Sequence, residues 1–115
     1  MSNYKIYLIS AEINEKILYK IGYTRRDVQQ RIRDFKTGNA SNFDIHGVYP
    51  CSSYHVTLEK RLHTHFSAKR ISGEWFELDI DDVYNFGNLC KKYWNDINLL
   101  ATQNTYLLDK KVKIK

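Results

Sequence analysis

Two short runs near the start of the chain restrict its fold more than anything that follows. Residues 4 to 10, YKIYLIS, and residues 17 to 23, ILYKIGY, are rich in Tyr, Ile and Leu. These residue types suit a pleated, half-buried strand. Only the polar stretch AEINEK lies between them, with Asn14 as the expected turn residue. So short a connection allows antiparallel pairing only, so the chain opens with a hairpin. Strand alternation then sorts the side chains. Tyr4, Ile6, Leu8 and Ser10 share one face of the first strand, and Lys5, Tyr7 and Ile9 the other. On the second strand Lys20 and Gly22 share a face opposite Tyr19, Ile21 and Tyr23. Tyr7 and Lys20 can therefore meet on one face, and Gly22 leaves an open spot beside Lys20 where something could approach the backbone.

The remaining segments supply helices to cover this hairpin. Residues 27 to 37 read as a helix with Asp27 as N-cap, a stripe of Val28, Ile32 and Phe35, and Gly38 as the residue after its end. Residues 43 to 49, FDIHGVY, read as a strand. From about Ser53 to Phe66 the apolar positions Tyr54, Leu58, Leu62 and Phe66 recur every four residues, which predicts a second helix. Residues 74 to 78, EWFEL, read as a short final strand. Asp79, Asp81 and Asp82 open a third helix with the stripe Val83, Phe86, Cys90, Tyr93 and Ile97. The end, LLDKKVKIK, is basic and reads as a short strand or a frayed tail. The order β-β-α-β-α-β-α predicts an α+β sandwich, a small, mostly antiparallel sheet with helices packed on it.

A chain of 115 residues fits one domain with a modest core. Its 18 Lys and Arg against 13 acidic residues give a net charge of +5, which suits a polyanionic partner. Cys51 and Cys90 form neither a CxxC pair nor a metal-binding spacing, and two distant thiols without a signal peptide read as free and reduced. The start, MSNYKIYLIS, lacks the basic and apolar regions of a secretory signal, and no apolar run approaches membrane-spanning length. These features predict an intracellular, cytoplasmic protein with no membrane partner.

Several side chains could carry chemistry. Lys20 within a strand is commonly an edge-strand lysine that discourages aggregation, and Arg31 on a helix is commonly solvated. Together they could face one anion on the Gly22 side of the hairpin. His55, Glu59 and His63 recur at i, i+4 and i+8 along the second helix. A carboxylate flanked by histidines can bind a divalent metal, although the HExxH arrangement is absent. Glu59 alone could hold Mg²⁺ if phosphate oxygens and water complete the shell. Glu74, Glu77 and Asp79 could join such a site, while Asp79, Asp81 and Asp82 are better read as helix caps. Tyr7 is the remaining acid-base candidate: tyrosine titrates near 10, and a cation such as Lys20 nearby would lower that value.

Taken in order, KIYLIS, YKIGYT, an arginine-bearing helix, LEKRLHTHF and GEWFEL resemble the GIY-YIG nuclease superfamily, and specifically its phage-rich branch with KIG in place of YIG and a C-terminal EWF motif. The resemblance covers residues 4 to 80. It implies a three-stranded, mostly antiparallel sheet flanked by helices, with residues 1–80 as the nuclease domain and residues 81–115 as a C-terminal helix and basic tail packed on it. It also implies a divalent-metal-dependent endonuclease that hydrolyses phosphodiester bonds, with DNA as the expected nucleic acid and Mg²⁺ or Mn²⁺ as cofactor. Carried over by motif, the general base falls on Tyr7, the first residue of the second motif on Lys20 and its glycine on Gly22. The helix arginine falls on Arg31, the metal ligand on Glu59, and a histidine that often follows that glutamate on His63. Thr24, Arg25 and Arg26, in the turn after the second strand, are expected to contact substrate together with Gly22. Two positions depart from the motifs: Lys5 stands where the first has glycine, and Lys20 where the second has tyrosine.

The chain shows no helix-turn-helix or zinc finger to read a target sequence. A lone nuclease domain of this kind would be poorly specific unless a homodimer or protein partner supplied the target. Lys110, Lys111, Lys113 and Lys115 could add phosphate contacts, although a solvated terminus is the commoner role. The alternative functions are a nucleic-acid-binding module that kept the fold without catalysis, and a structural protein for which the basic charge is incidental.

Overall fold

The computed structural model describes the backbone of residues 3–35 and 40–114, and the side chains of residues 3–34 and 42–102. Strands β1 (Tyr4–Ile13) and β2 (Lys16–Thr24) form the opening hairpin. Asn14 and Glu15 alone make its turn, both left-handed with φ of 51° and 65°. Two consecutive positive-φ residues give the turn whose twist matches a right-handed hairpin. Most of AEINEK is therefore strand, and the ladder runs from Lys5 opposite Thr24 to Ile13 opposite Lys16.

Helix α1 (Val28–Phe35) begins at Asp27, whose carboxylate accepts the Gln29 N–H at 3.1 Å. Its anticipated C′ residue, Gly38, lies outside the described residues. Strand β3 (Ala40–Cys51) pairs with the far side of β1, with bulges after Leu8 and Ser10. Helix α2 (His55–His65) is followed by a 3₁₀ turn (Ser67–Lys69) and two short strands, β4 (Arg70–Ser72) and β5 (Trp75–Phe76). Gly73, with φ of 56°, turns this second hairpin. The sheet thus has five antiparallel strands in the order β3-β1-β2-β5-β4 rather than three. The extra strand β4 carries only three residues, all exposed, so no apolar alternation marks it in the sequence. The final strand expected over residues 74–78 contracts to two.

The expected third helix is two. Asp79 and Asp82 make a reciprocal capping box on α3 (Ile80–Tyr84), and Asn85 ends that helix before α4 (Phe86–Ile114) begins. The basic end of the chain continues α4 instead of forming a strand, and the side chains of Lys110, Lys111, Lys113 and Lys115 lie outside those described.

Alternation along β1 divides the interior in two. Ile6, Leu8 and Ile21 face α2 and α4, burying Leu58, Leu62, Phe66, Phe76, Phe86, Cys90 and Ile97 with them. Tyr7 and Ile9 face the other way, under Val28 and Ile32 of α1. Both cysteines are free and buried. The α1 side is the smaller core, and a polar group, the phenol of Tyr7, is placed within it. Leu62 is fully buried between α2 and the sheet. Leu62→Ala is expected to cost about 2–5 kcal/mol through lost contacts and the cavity left behind. A lower urea midpoint with an unchanged m-value would register it.

Candidate functional site

The site is assembled around one cross-strand pair. Tyr7 lies opposite Gly22 on the face that also carries Lys20, as alternation required. A Cβ built on Gly22 would fall 2.6 Å from Tyr7 Cζ and against its hydroxyl. Gly22 therefore does not leave an open spot for a ligand: the Tyr7 ring fills it. The glycine serves to let the phenol lie across β2, so that a ring 1 % exposed brings its hydroxyl to the far side of the strand.

Three charged side chains, Arg31, Glu74 and Glu59, act on that hydroxyl, and a fourth, Lys20, pairs with Glu74. Arg31 comes from α1, which Val28 and Ile32 anchor on the Tyr7 side of the sheet, and its guanidinium hydrogen-bonds the phenol. Arg31 Nη1 also lies 3.7 Å from Asp34, one turn along. Lys20 Nζ is 3.0 Å from Glu74 Oε1 and 5.4 Å from the centre of the Trp75 ring. The tight β4–β5 turn delivers Glu74, and the Ile21 N–H donates to its carbonyl at 3.2 Å. Glu59 reaches the same neighbourhood from α2: its carboxylate acts on the Tyr7 phenol, and Glu74 and Lys20 act on it in turn.

The electrostatics correct one expectation. Lys20 does not lower the Tyr7 pKa. Burial, then the carboxylate of Glu74, push the phenol well above its ordinary value, and only Arg31 opposes them by charge and hydrogen bond. Lys20 is paired with Glu74 and is not among the groups that shift the phenol. Burial and the Glu74 charge also raise Glu59, to about 7, although Lys20 and Lys60 pull it down. Two partly buried carboxylates thus act on each other beside a phenol. Glu74 is the residue whose importance the sequence conceals. Its carboxylate could be noted as the acid of EWF and a spare metal ligand, but its place beside Lys20 and Gly22 depends on β5 docking on β2.

The histidines do not converge on Glu59. His55 stacks on Tyr4, with ring centres 3.4 Å apart, and meets Tyr23 edge-on. Burial lowers the pKa of His55. His63 Nε2 lies 2.8 Å from the Ile21 carbonyl, and its Nδ1 lies 3.0 Å from Arg70 Nη2. Both ring nitrogens of His63 are engaged, Nε2 with β2 and Nδ1 with Arg70. Among the described residues no group of three or more His, Cys, Asp or Glu side chains is arranged to hold a metal. Glu77 is exposed, and Asp79 caps α3 while pairing with Lys69.

The expected substrate contacts are partly committed to the fold. Thr24 is buried, and its hydroxyl accepts the Arg26 N–H at 3.0 Å. Arg26 pairs with Asp34 at 2.9 Å. Arg25 is exposed and lies over the Tyr4 ring at 5.8 Å. Lys5, in place of the motif glycine, reaches the carbonyls of Arg25 and Arg26 at 3.5 and 3.4 Å and braces this turn. Cavities of about 450 and 420 Å³ lie elsewhere, beside Tyr4 and Trp94 and beside Lys69 and Leu78, and neither includes Tyr7, Arg31 or Glu59.

The model of the T5orf172 domain matches residues 4–91, from the start of β1 into α4. The chain belongs to the T5orf172 domain family. That domain is phage-associated and occurs in homing-endonuclease-like proteins. The matched span contains Tyr7, Lys20, Gly22, Arg31, Glu59 and Glu74, so the T5orf172 domain holds the whole charged cluster. No curated protein and no solved structure matches the chain. No helix of the described residues is long and apolar enough to cross a membrane.

Two outcomes test this geometry. Gly22→Ala forces the Tyr7 ring off its place and is expected to cost about 1–3 kcal/mol, seen in chemical denaturation. Glu59→Gln should stabilise the fold in a pH-dependent way. A carboxyl raised from 4.5 to about 7 binds its proton more tightly in the folded state. Below the unfolded value it costs nothing; between the two values stability declines, and above about 7 the penalty is complete. Removing the charge should therefore add about 1–2 kcal/mol at pH 8, after allowance for water at this partly exposed side chain. Thermal denaturation should show a higher Tm for Glu59→Gln at pH 8 and none of that gain near pH 4.5.

Proposed function

We propose that this T5orf172 domain is a divalent-metal-dependent endonuclease of the GIY-YIG type that hydrolyses phosphodiester bonds in DNA. The observation that carries the proposal is the gathering of Arg31, Glu59 and Glu74 around the hydroxyl of one buried tyrosine, with Lys20 paired to Glu74. Burying a phenol among paired charges burdens the fold, and such sites recur where proton transfer is needed.

The donor set suits a hard dication. Glu59 and Glu74 repel each other in a partly dry setting, which a bound cation relieves, and oxygen donors are what Mg²⁺ and Mn²⁺ take. Glu59 would hold the ion, with phosphate oxygens and water completing its shell. When bound, the ion supplies charge stabilisation to the departing 3′ oxygen. The side chains do the rest. Arg31 offers a planar, permanently charged group to the scissile phosphate, half-exposed at the mouth of the site. Tyr7, once its own proton has passed to solvent water, would accept a proton from the attacking water as the phenolate. Arg31 is the group that stabilises the phenolate it would become. Lys20, held by Glu74, lies on the same face and can orient the water.

The raised phenol also supports a second reading, a nucleic-acid-binding module without catalysis, because a proton held so firmly opposes base chemistry at neutral pH. Plasmid cleavage with Mg²⁺ or Mn²⁺ separates the two. The nuclease reading expects Tyr7→Phe, Arg31→Ala and Glu59→Gln each to lose about 10²–10⁴ in rate, the range for removing a general base or a charge stabiliser. Wild-type cleavage should accelerate from pH 6 to pH 8 as Glu59, raised to about 7, ionises. Retained, salt-sensitive DNA binding in EDTA with no cleavage in any divalent metal would favour the binding module.

A further inference from the structure

Packing alone leaves Glu59 under-determined. Leu58 and Leu62 fix the depth of α2 on the sheet, but apolar contact is non-directional and tolerates rotation or sliding of a helix. A directional contact is supplied one turn beyond Glu59. His63 lies four residues later, on the same helical face, and bonds the carbonyl of Ile21, the residue before Gly22. The chemistry of the partners sets the ring's state. A carbonyl only accepts and a guanidinium only donates, so Nε2 carries the hydrogen and Nδ1 accepts from Arg70. The ring is further seated edge-on against Phe76, with centres 5.1 Å apart. The Ile21 peptide thereby joins two pieces of the site to β2: its carbonyl takes His63 of α2, and its N–H donates to Glu74.

We propose that His63 is a positioning residue for Glu59: its hydrogen bond to Ile21 sets α2 against β2 beside Gly22, with Arg70 holding the imidazole in the tautomer that makes the bond. This rests on Glu59 holding the metal in the proposed nuclease.

The test is Mn²⁺ binding to the full chain without nucleic acid, followed by electron paramagnetic resonance, beside plasmid cleavage. His63→Ala should weaken Mn²⁺ binding about 10–100-fold, as loss of an orienting partner does. It should lower kcat while leaving KM for plasmid unchanged. His63→Gln, whose amide N–H can reach the carbonyl, should restore binding to within about threefold of wild type. Arg70→Ala should shift binding in the same direction by less. Should His63→Ala fail to fold, His63→Gln and Arg70→Ala decide: both must bind Mn²⁺ more tightly than Glu59→Gln. Wild-type affinity in His63→Ala, alongside lost affinity in Glu59→Gln, would overturn the positioning role and leave the nuclease reading standing. Mn²⁺ binding that depends on His63 in a protein that cuts nothing would uphold the positioning role and overturn the nuclease reading. A wild-type chain that binds no Mn²⁺ overturns both.

Discussion

The ring of Tyr7 lying across Gly22 is the contact on which the site depends. In an antiparallel pair, directly opposed residues project to the same face, so any side chain at position 22 would compete with the phenol for the same volume. Because glycine gives way, the hydroxyl passes over β2 to where Glu74 and Glu59 can act on it. The same ring also fills the small core under Val28 and Ile32. One side chain thus anchors α1, which carries Arg31, and presents the group that Arg31 contacts. Packing and chemistry are coupled there: shifting the ring would loosen the helix and the site together.

Around this contact the molecule accumulates unfavourable electrostatics. Burial raises the pKa of a phenol and of a carboxylate, and a second carboxylate, Glu74, raises each further. The fold offsets this with an apolar core on the opposite face of the sheet, where Ile6, Leu8 and Ile21 meet α2 and α4. The division follows from the period of two along β1, which sends neighbouring residues to the stable side and the reactive side in turn. A structural role alone would be better served by an apolar residue at 59, so the retained carboxylate argues for use.

Much of this was legible in local sequence. The hairpin, the shared face of Tyr7, Lys20 and Gly22, the Val28 and Ile32 positions of α1 and the Leu58, Leu62 and Phe66 positions follow from periodicities within a few residues. Tyr54, expected in the same stripe as Leu58, instead precedes α2 in a left-handed conformation and is exposed. Features set by distant contacts were not legible. Strand β4 has no apolar pattern, and β5 exists because Trp75 and Phe76 dock on Lys20 and Tyr19, more than fifty positions earlier. Glu74 gains its meaning from that docking. The direction of the Tyr7 shift was misjudged because alternation shows a cation nearby but not how deeply the ring is buried under α1, nor the Glu74 carboxylate that the folded turn brings beside it. His55 and His63 show the converse, since regular helical spacing suggested shared metal ligation that their actual partners, Tyr4 and Ile21, do not allow.

The net charge of +5 would suggest a surface ready for a polyanion, yet the cations near the site are largely spoken for. Asp34 engages both Arg26 and Arg31, Glu74 engages Lys20, and Lys5 is turned onto backbone carbonyls. A phosphate arriving at Arg31 would have to compete with Asp34, and a charge placed near Lys20 with Glu74. The exposed pairs of Asp34 with Arg26 and Arg31 are worth little, at most about 1 kcal/mol each, so they yield readily to a dianionic or metal-bound group. Until then they hold the side chains in place and neutralise the surface. Binding at such a site is an exchange of partners rather than the filling of a vacancy, and discrimination then depends on how many of these exchanges one substrate can make at once.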